Sequence, residues 1–242
     1  MSDVHRNELG QPVGAPLPAW KGVQRPPRTP MAGRYCRVEP ADATQHAEDL
    51  YRANASDLSG RNFTYLLSGP FESFGAYREW LDSHRLLDDP LLHAIVDLDT
   101  GKAVGVASYM RIDPKNGTIE VGNINYSPLL QRKRAATEAM YLMMKRVFEL
   151  GYRRYEWKCD SLNAPSRAAA QRLGFSYEGI FRQAVVYRGR SRDTAWYATI
   201  DSEWLELERA YLRWLDPGNF DTRGKQRERL ADLTAPILKQ RG

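Results

Sequence analysis

Tyr126-Ser127-Pro128-Leu129-Leu130-Gln131-Arg132-Lys133-Arg134-Ala135-Ala136-Thr137-Glu138-Ala139 joins a strand to the strongest helical pattern in the chain, and the fold turns on how it is read. Downstream, Ala136, Ala139, Met140, Met143, Val147 and Phe148 recur at three- and four-residue steps. That period predicts a helix from about Arg132 to Leu150, stopped by Gly151. A helix N-terminus offers unpaired amides and a partial positive charge, so a phosphate binds there without special side chains. Ala135 and Ala136 let a ligand approach the backbone, and Lys133 and Arg134 can add charge-assisted contacts. The competing reading is an ordinary amphipathic helix with a charged first turn. Cations in a first turn oppose the helix dipole unless an anion is present. The junction alone leaves both readings open.

Working outward, Thr118 to Tyr126 reads as the strand feeding the junction, after the turn Asp113-Pro114-Lys115-Asn116-Gly117. Leu91 to Leu98 and Ala103 to Ile112 make a meander with it. Arg34 to Val38 reads as an earlier strand, and Ala41 to Ala53 and Phe71 to Leu81 as helices. Beyond the long helix come a strand at Tyr152 to Lys158, a helix at Ala164 to Leu173, strands at Phe175 to Tyr187 and Asp193 to Thr199, and a helix at Ser202 to Leu215. This order predicts an α/β fold with a mixed, mostly antiparallel sheet and helices on both faces, not a doubly wound parallel sheet. The core domain is placed at residues 33–215. Residues 1–32, with runs such as Pro26-Pro27-Arg28-Thr29-Pro30, read as an extended proline-rich arm. Trp20 within it suggests an arm packed on something. Residues 216–242 read as a charged C-terminal extension.

With 42% apolar and 27% charged residues, 242 residues can bury one sizeable core. No apolar stretch approaches the roughly 20 residues of a membrane span. Met1 to Arg6 lacks an apolar signal region, which points to a cytoplasmic protein. Cys36 and Cys159 are too far apart for a disulfide framework and read as buried thiols. His5, His46, His84 and His93 have no ligand spacing, so no metal site is expected. The net charge of +5 fits a polyanionic small ligand as well as nucleic acid. No nucleic-acid motif is present, so nucleic acid is an unlikely partner.

The second informative segment is Asn163-Ala164-Pro165-Ser166-Arg167-Ala168-Ala169-Ala170-Gln171-Arg172-Leu173-Gly174-Phe175, followed by Tyr177-Glu178-Gly179. With the Gln131 junction it resembles the GNAT acetyltransferase superfamily, in its RimJ/RimL-like branch. The resemblance spans about residues 33 to 200, and Arg192-Asp193 and Glu203-Trp204 fit the same branch. It implies the GNAT acyl-CoA transferase fold and acetyl-CoA as cofactor, held by Gln131, Arg132, Lys133, Arg134, Ala135 and Ala136. Asn163 on the second helix, with the backbone around Asn125 and Tyr126, is implied for the pantetheine arm. The sequence departs from the family where Arg132 and Arg134 replace loop glycines. Arginine fits there only if those positions do not need φ > 0. Ala170 stands where many members have a catalytic Tyr, which leaves Ser166 as the nearest hydroxyl. A capping role for Ser166 is the alternative.

Amine acetylation needs a base for the amine proton and an acid for the leaving thiol. Glu120, expected on one strand face with Gly122, Ile124 and Tyr126, resembles the family's strand glutamate and is the candidate base. A half-exposed surface carboxylate is its plainer reading. Direct attack by the amine is what the family implies, and Cys159 reads as a buried strand thiol. The acceptor is a small-molecule or peptide amine, with Asn62 to Leu66 near its cleft, and a homodimer is possible. The alternative function is a binding module that kept the fold and recognises nucleic acid or a protein through its basic surface.

Overall fold

The computed structural model describes residues 4–242. A short hairpin, β1 (His5–Arg6) and β2 (Pro12–Val13), stands apart from the main sheet. The remaining strands are β3 (Met31–Ala32), β4 (Cys36–Pro40), β5 (Leu91–Asp97), β6 (Lys102–Asp113), β7 (Thr118–Tyr126), β8 (Arg154–Asp160), β9 (Ser176–Tyr187) and β10 (Arg190–Ile200). They form one eight-stranded sheet in the order β3-β4-β5-β6-β7-β8-β10-β9. Only the β7–β8 pairing is parallel. The helices are α1 (Ala43–Ala55), α2 (Phe74–Ser83), α3 (Arg134–Glu149), α4 (Ala164–Arg172), α5 (Asp201–Leu215) and α6 (Leu230–Thr234).

Two apolar clusters fix the layers. Leu50 of α1 and Tyr77 and Leu81 of α2 pack on Leu92, Ala94 and Val96 of β5. On the other face, α3, α4 and α5 bury Met140, Met143, Ala170 and Leu207 against Ile119, Val121, Tyr155, Trp157 and Tyr197. β5 is covered from both sides, which is why all seven of its residues are buried rather than alternate ones. The predicted sheet with helices on both faces is therefore the observed one.

Two close contacts hold α3 and α4 in place. The buried carboxylate of Glu138 on α3 accepts the backbone N–H groups of Arg34, Tyr35 and Cys36 at 2.8, 2.6 and 2.8 Å. A Cβ on Gly33 would meet this carboxyl at 2.4 Å, so glycine is what lets β4 approach. Gly174 ends α4 at φ 93, and a Cβ there would meet Leu207 of α5 at 2.3 Å.

Both flanking segments lie on this body. The indole N–H of Trp20 donates to the Lys115 carbonyl (2.8 Å), and the Val23 N–H to that of Pro114 (2.9 Å). Met31 is buried in the main core, so the sheet begins two residues before Gly33. At the other end, Leu230 and Ile237 join the same core, and the Gln240 carbonyl accepts the Tyr177 N–H at 3.0 Å. Among the described residues no helix is long and apolar enough to cross a membrane, and no His, Cys, Asp and Glu cluster could hold a metal ion.

Candidate active site

α3 begins at Arg134, two residues later than the sequence period suggests, because Arg132 sits in the left-handed region at φ 61 and Lys133 is the N-cap. Ser127 opens a tight turn, its carbonyl accepting the Leu130 and Gln131 N–H groups at 2.9 and 3.1 Å. The loop thus imposes at Arg132 the conformation that glycine adopts freely, at a cost to an L-residue of about 1 kcal/mol. Arg134, inside the helix, carries no such strain.

No side chain caps α3, so the N–H groups of its first turn have no acceptor within the helix. They open on a cavity of about 740 Å³ into which Ala135 and Ala136 face. Six basic side chains line it (Arg132, Lys133, Arg134, Arg172, Lys225 and Arg229) against two acidic ones, Asp97 and Asp99. Lys133 Nζ is 3.4 Å from Asp97 Oδ2. The Arg134 guanidinium lies between the rings of Tyr35 and Phe220, 4.7 and 4.8 Å from their centroids. Arg172 donates to Thr137 Oγ1 at 3.2 Å. Helix dipole and side chains therefore add in one direction, toward a bound anion.

Gln131 turns away from this cavity. Its amide donates to Asn62 Oδ1 (2.9 Å) and to the Tyr126 carbonyl (2.8 Å), tying the junction to the segment before α2. Tyr126 sends its hydroxyl to the Ala136 carbonyl at 3.2 Å and so braces the first turn of α3.

The second part of the site lies where β7 and β8 cease to pair. Their parallel ladder covers only Thr118–Val121 and Arg154–Trp157, so the rest of β7 presents main-chain groups that β8 does not bond. Asn125 is buried here, and its Oδ1 has no partner. At the start of α4, the Asn163 side chain accepts the Ser166 N–H at 3.1 Å and is the cap. Ser166 is therefore not the capping residue; its Oγ accepts the Trp157 indole N–H at 3.0 Å, which leaves the hydroxyl hydrogen to donate elsewhere. Beside it, burial pushes the Cys159 thiol up, which disfavours the thiolate a nucleophile needs.

Glu120 is buried, and its environment differs from the expected half-exposed strand. Arg111 Nη1 contacts both of its oxygens at 2.8 Å and Lys158 Nζ lies 2.9 Å from Oε2. Lys158 also meets Glu156 Oε2 at 2.7 Å. Burial raises the Glu120 carboxyl above its ordinary range, and the two cations pull against that rise. The strand alternation expected past Glu120 fails. Asn123 has φ 49, and Asn123 and Ile124 together oppose Ala107 of β6 in a bulge. Ile124 and Tyr126 consequently join Val121 on the α3 face, and Glu120 and Gly122 look the other way.

On that other face, β10 runs beside β8 with Thr194 opposite Asp160 and Trp196 opposite Lys158. The Lys158 ammonium sits 3.8 Å from the Trp196 ring centroid. Tyr187 donates to Asp160 Oδ2 at 2.9 Å. The segment from Asn62 to Gly69 crosses here, held by Tyr65 to the Leu162 carbonyl (3.2 Å) and by Arg188 to the Gly69 carbonyl. The segment Asn62 to Leu66 is the one expected near an acceptor, whereas Lys158, Asp160, Tyr187 and the β10 face carry no expectation from the sequence. Nor do Phe220, Lys225 and Arg229 at the α3 cavity. The alternation Arg192-Thr194-Trp196 was a legible signal, since three polar-bearing side chains share one face; nothing comparable marked Phe220.

A model of the acetyltransferase (GNAT) domain matches residues 37–176. The chain belongs to the GNAT acetyltransferase family. A GCN5-related N-acetyltransferase from Brucella melitensis is 46% identical to this GNAT chain, with a TM-score of 0.88, covering 90% of this chain and 100% of its own. A protein described as a GNAT-family acetyltransferase from Chromobacterium violaceum is 40% identical, with a TM-score of 0.74, covering 80% and 97%. An acetyltransferase from Salmonella typhimurium that modifies the N-terminal serine of ribosomal protein L7/L12 shares the GNAT fold at 23% identity and a TM-score of 0.60, covering 69% and 96%. No curated protein matches the chain.

Proposed function

We propose that this GNAT chain transfers an acetyl group from acetyl-CoA to a primary amine, on a small molecule or a peptide N-terminus, in the manner of the RimJ/RimL-like branch. The observation that carries this reading is the uncapped start of α3 opening on a basic cavity, directly after the half of β7 that β8 leaves unpaired. The residues present fit the group. Free amides and six cations suit its phosphates, and the unbonded edge of β7 with the unpartnered Asn125 Oδ1 suits an amide-bearing arm. Acetyl-CoA supplies an acetyl thioester and a thiol leaving group.

The remaining roles belong to the chain. The amides of Arg134, Ala135 and Ala136, with Arg132, hold the phosphates. Ser166, steadied by Trp157, donates its proton to the departing sulfur. Glu120 draws the amine proton through water, since Arg111 and Lys158 already occupy its direct contacts. The transferase domain takes in Met31, where the sheet begins, and the C-terminal extension adds Leu230 and Ile237 to its core and completes the cofactor cavity. Titration calorimetry with acetyl-CoA tests the reading; binding in the micromolar range is expected, and no heat at millimolar cofactor overturns it. Ser166→Ala should then lower kcat about 100-fold or more with acetyl-CoA affinity unchanged, measured by thiol release.

A further inference from the structure

Arg192, Thr194 and Trp196 take alternate positions on β10, so their side chains leave the same face of the sheet. Each has a buried polar atom with no partner: Nε, Oγ1 and Nε1 respectively. Thr194 is only 5% exposed. Buried donors left unpaired are rare in native proteins, and three along one strand face are not explained by packing. The guanidinium and the indole can only donate. A bound group with acceptor oxygens would satisfy them.

This face borders the site described above. Trp196 lies under Lys158, which bonds Glu120, and the Arg192 guanidinium is 5.8 Å from the ring of Tyr187, whose hydroxyl bonds Asp160. Two of the neighbouring cations are engaged. Lys158 sits between Glu120 and Glu156, and Arg188 donates to the Ser68 and Gly69 carbonyls. Arg192 belongs to none of the ion pairs that consume Arg111, Arg154 and Lys158. Arg190, the next position on this face, is exposed, whereas Arg192 is half-buried and lacks a carboxylate partner that its fork would match.

Resting on the transferase reading, we infer that the acceptor amine also bears a carboxylate, received by Arg192, with Thr194 and Trp196 donating to it or to adjacent carbonyl oxygens. Arg192 is thus a specificity residue for the acceptor and takes no part in holding the cofactor.

The test uses the full chain saturated with CoA and two matched pairs of amines. One pair is the amidated peptides Ser-Ala-Asp and Ser-Ala-Asn; the other is free serine and serinamide. Binding is read by calorimetry, and turnover with acetyl-CoA by thiol release. The acidic member of at least one pair should bind about tenfold or more tightly, one charge-assisted contact being worth about 1.5–3 kcal/mol. The pair that discriminates separates a peptide end from a free amino acid. Arg192→Gln should bring the two members within twofold of each other and leave CoA affinity unchanged. If Arg192→Gln does not fold, Thr194→Val and Trp196→Phe serve in its place and should narrow the preference. Equal binding of acid and amide by the CoA-loaded wild type overturns the inference, as does a variant that weakens both members alike. Loss of CoA binding itself would strike the transferase reading instead, and the acid-over-amide comparison can still be made on the free protein.

Discussion

Of the residues held in states their side chains do not favour, two give direct measurements. Arg132 keeps φ 61 in the loop before α3. Glycine at such a position avoids the Cβ clash that any other residue suffers, so Arg132→Gly should be about 1 kcal/mol more stable than Arg132→Ala, read from urea midpoints. Both variants lose the same charge at the cavity and should lose acetyl-CoA affinity equally. A Gly variant no more stable than the Ala variant would show that the loop relaxes when the arginine is removed. Arg132 is also where the sequence was legible only in part. The departure from a family glycine is plain in the sequence, but the φ that makes it matter is set by the Ser127 turn.

His93 is the other. It is fully buried against Tyr109, and neither ring nitrogen has a partner. Burial, then the charge of Arg146, lowers its pKa from 6.5 to about 3. The unfolded chain therefore binds a proton below pH 6.5 that the native chain refuses until about pH 3, so stability falls as pH falls through that window. At pH 5 the penalty is about 2 kcal/mol, taking about 1.4 kcal/mol per unit. His93→Leu should abolish that share of the acid sensitivity; urea unfolding at pH 7.5 and 5.0 would measure it. An unchanged difference between the two pH values would mean His93 is protonated in the fold.

Among the elements, α3 matters most, and Glu138 fixes where it lies. A carboxylate receiving three backbone N–H groups of the β4 entry stitches the helix that would meet the phosphates to the edge of the sheet. Glu138→Gln keeps the size but turns half of the acceptor into a donor facing those amides. A loss of about 2–4 kcal/mol in urea unfolding is expected, and more for Ala, which strands all three donors. A loss below 1 kcal/mol would show that water replaces the carboxylate. The helical period identified α3 readily, since a stripe of Ala and Met at steps of three and four has few other readings. The role of Glu138 was not legible, because its partners lie a hundred residues away and are backbone atoms common to every sequence. The bulge at Asn123 shows the same limit: period two placed Glu120 and Tyr126 together, and one inserted residue separated them.

At the scale of the whole molecule, the cavity at α3 is closed by chain from beyond the last large helix. Pro217–Asn219 turn the chain, Trp214 donates to Gln226 Oε1 at 2.7 Å, and Leu230 and Ile237 anchor the C-terminal segment in the core. Composition alone gave this stretch only charge, because its apolar anchors are single residues spaced too widely to form a period. Its contribution to the site passes through Phe220, which with Tyr35 grips the Arg134 guanidinium. Phe220 is half-buried, so Phe220→Ala should cost about 1–2 kcal/mol of stability, less than a fully buried ring. Arg134 then loses one wall and the cavity one side. Acetyl-CoA affinity should fall about 3–10-fold by calorimetry, matching a cation–π contact of about 0.5–1 kcal/mol plus the ordering that Arg134 must undergo on binding. Circular dichroism at the working temperature separates the two effects. A folded Phe220→Ala variant with wild-type affinity would make the C-terminal segment a structural cover with no part in binding.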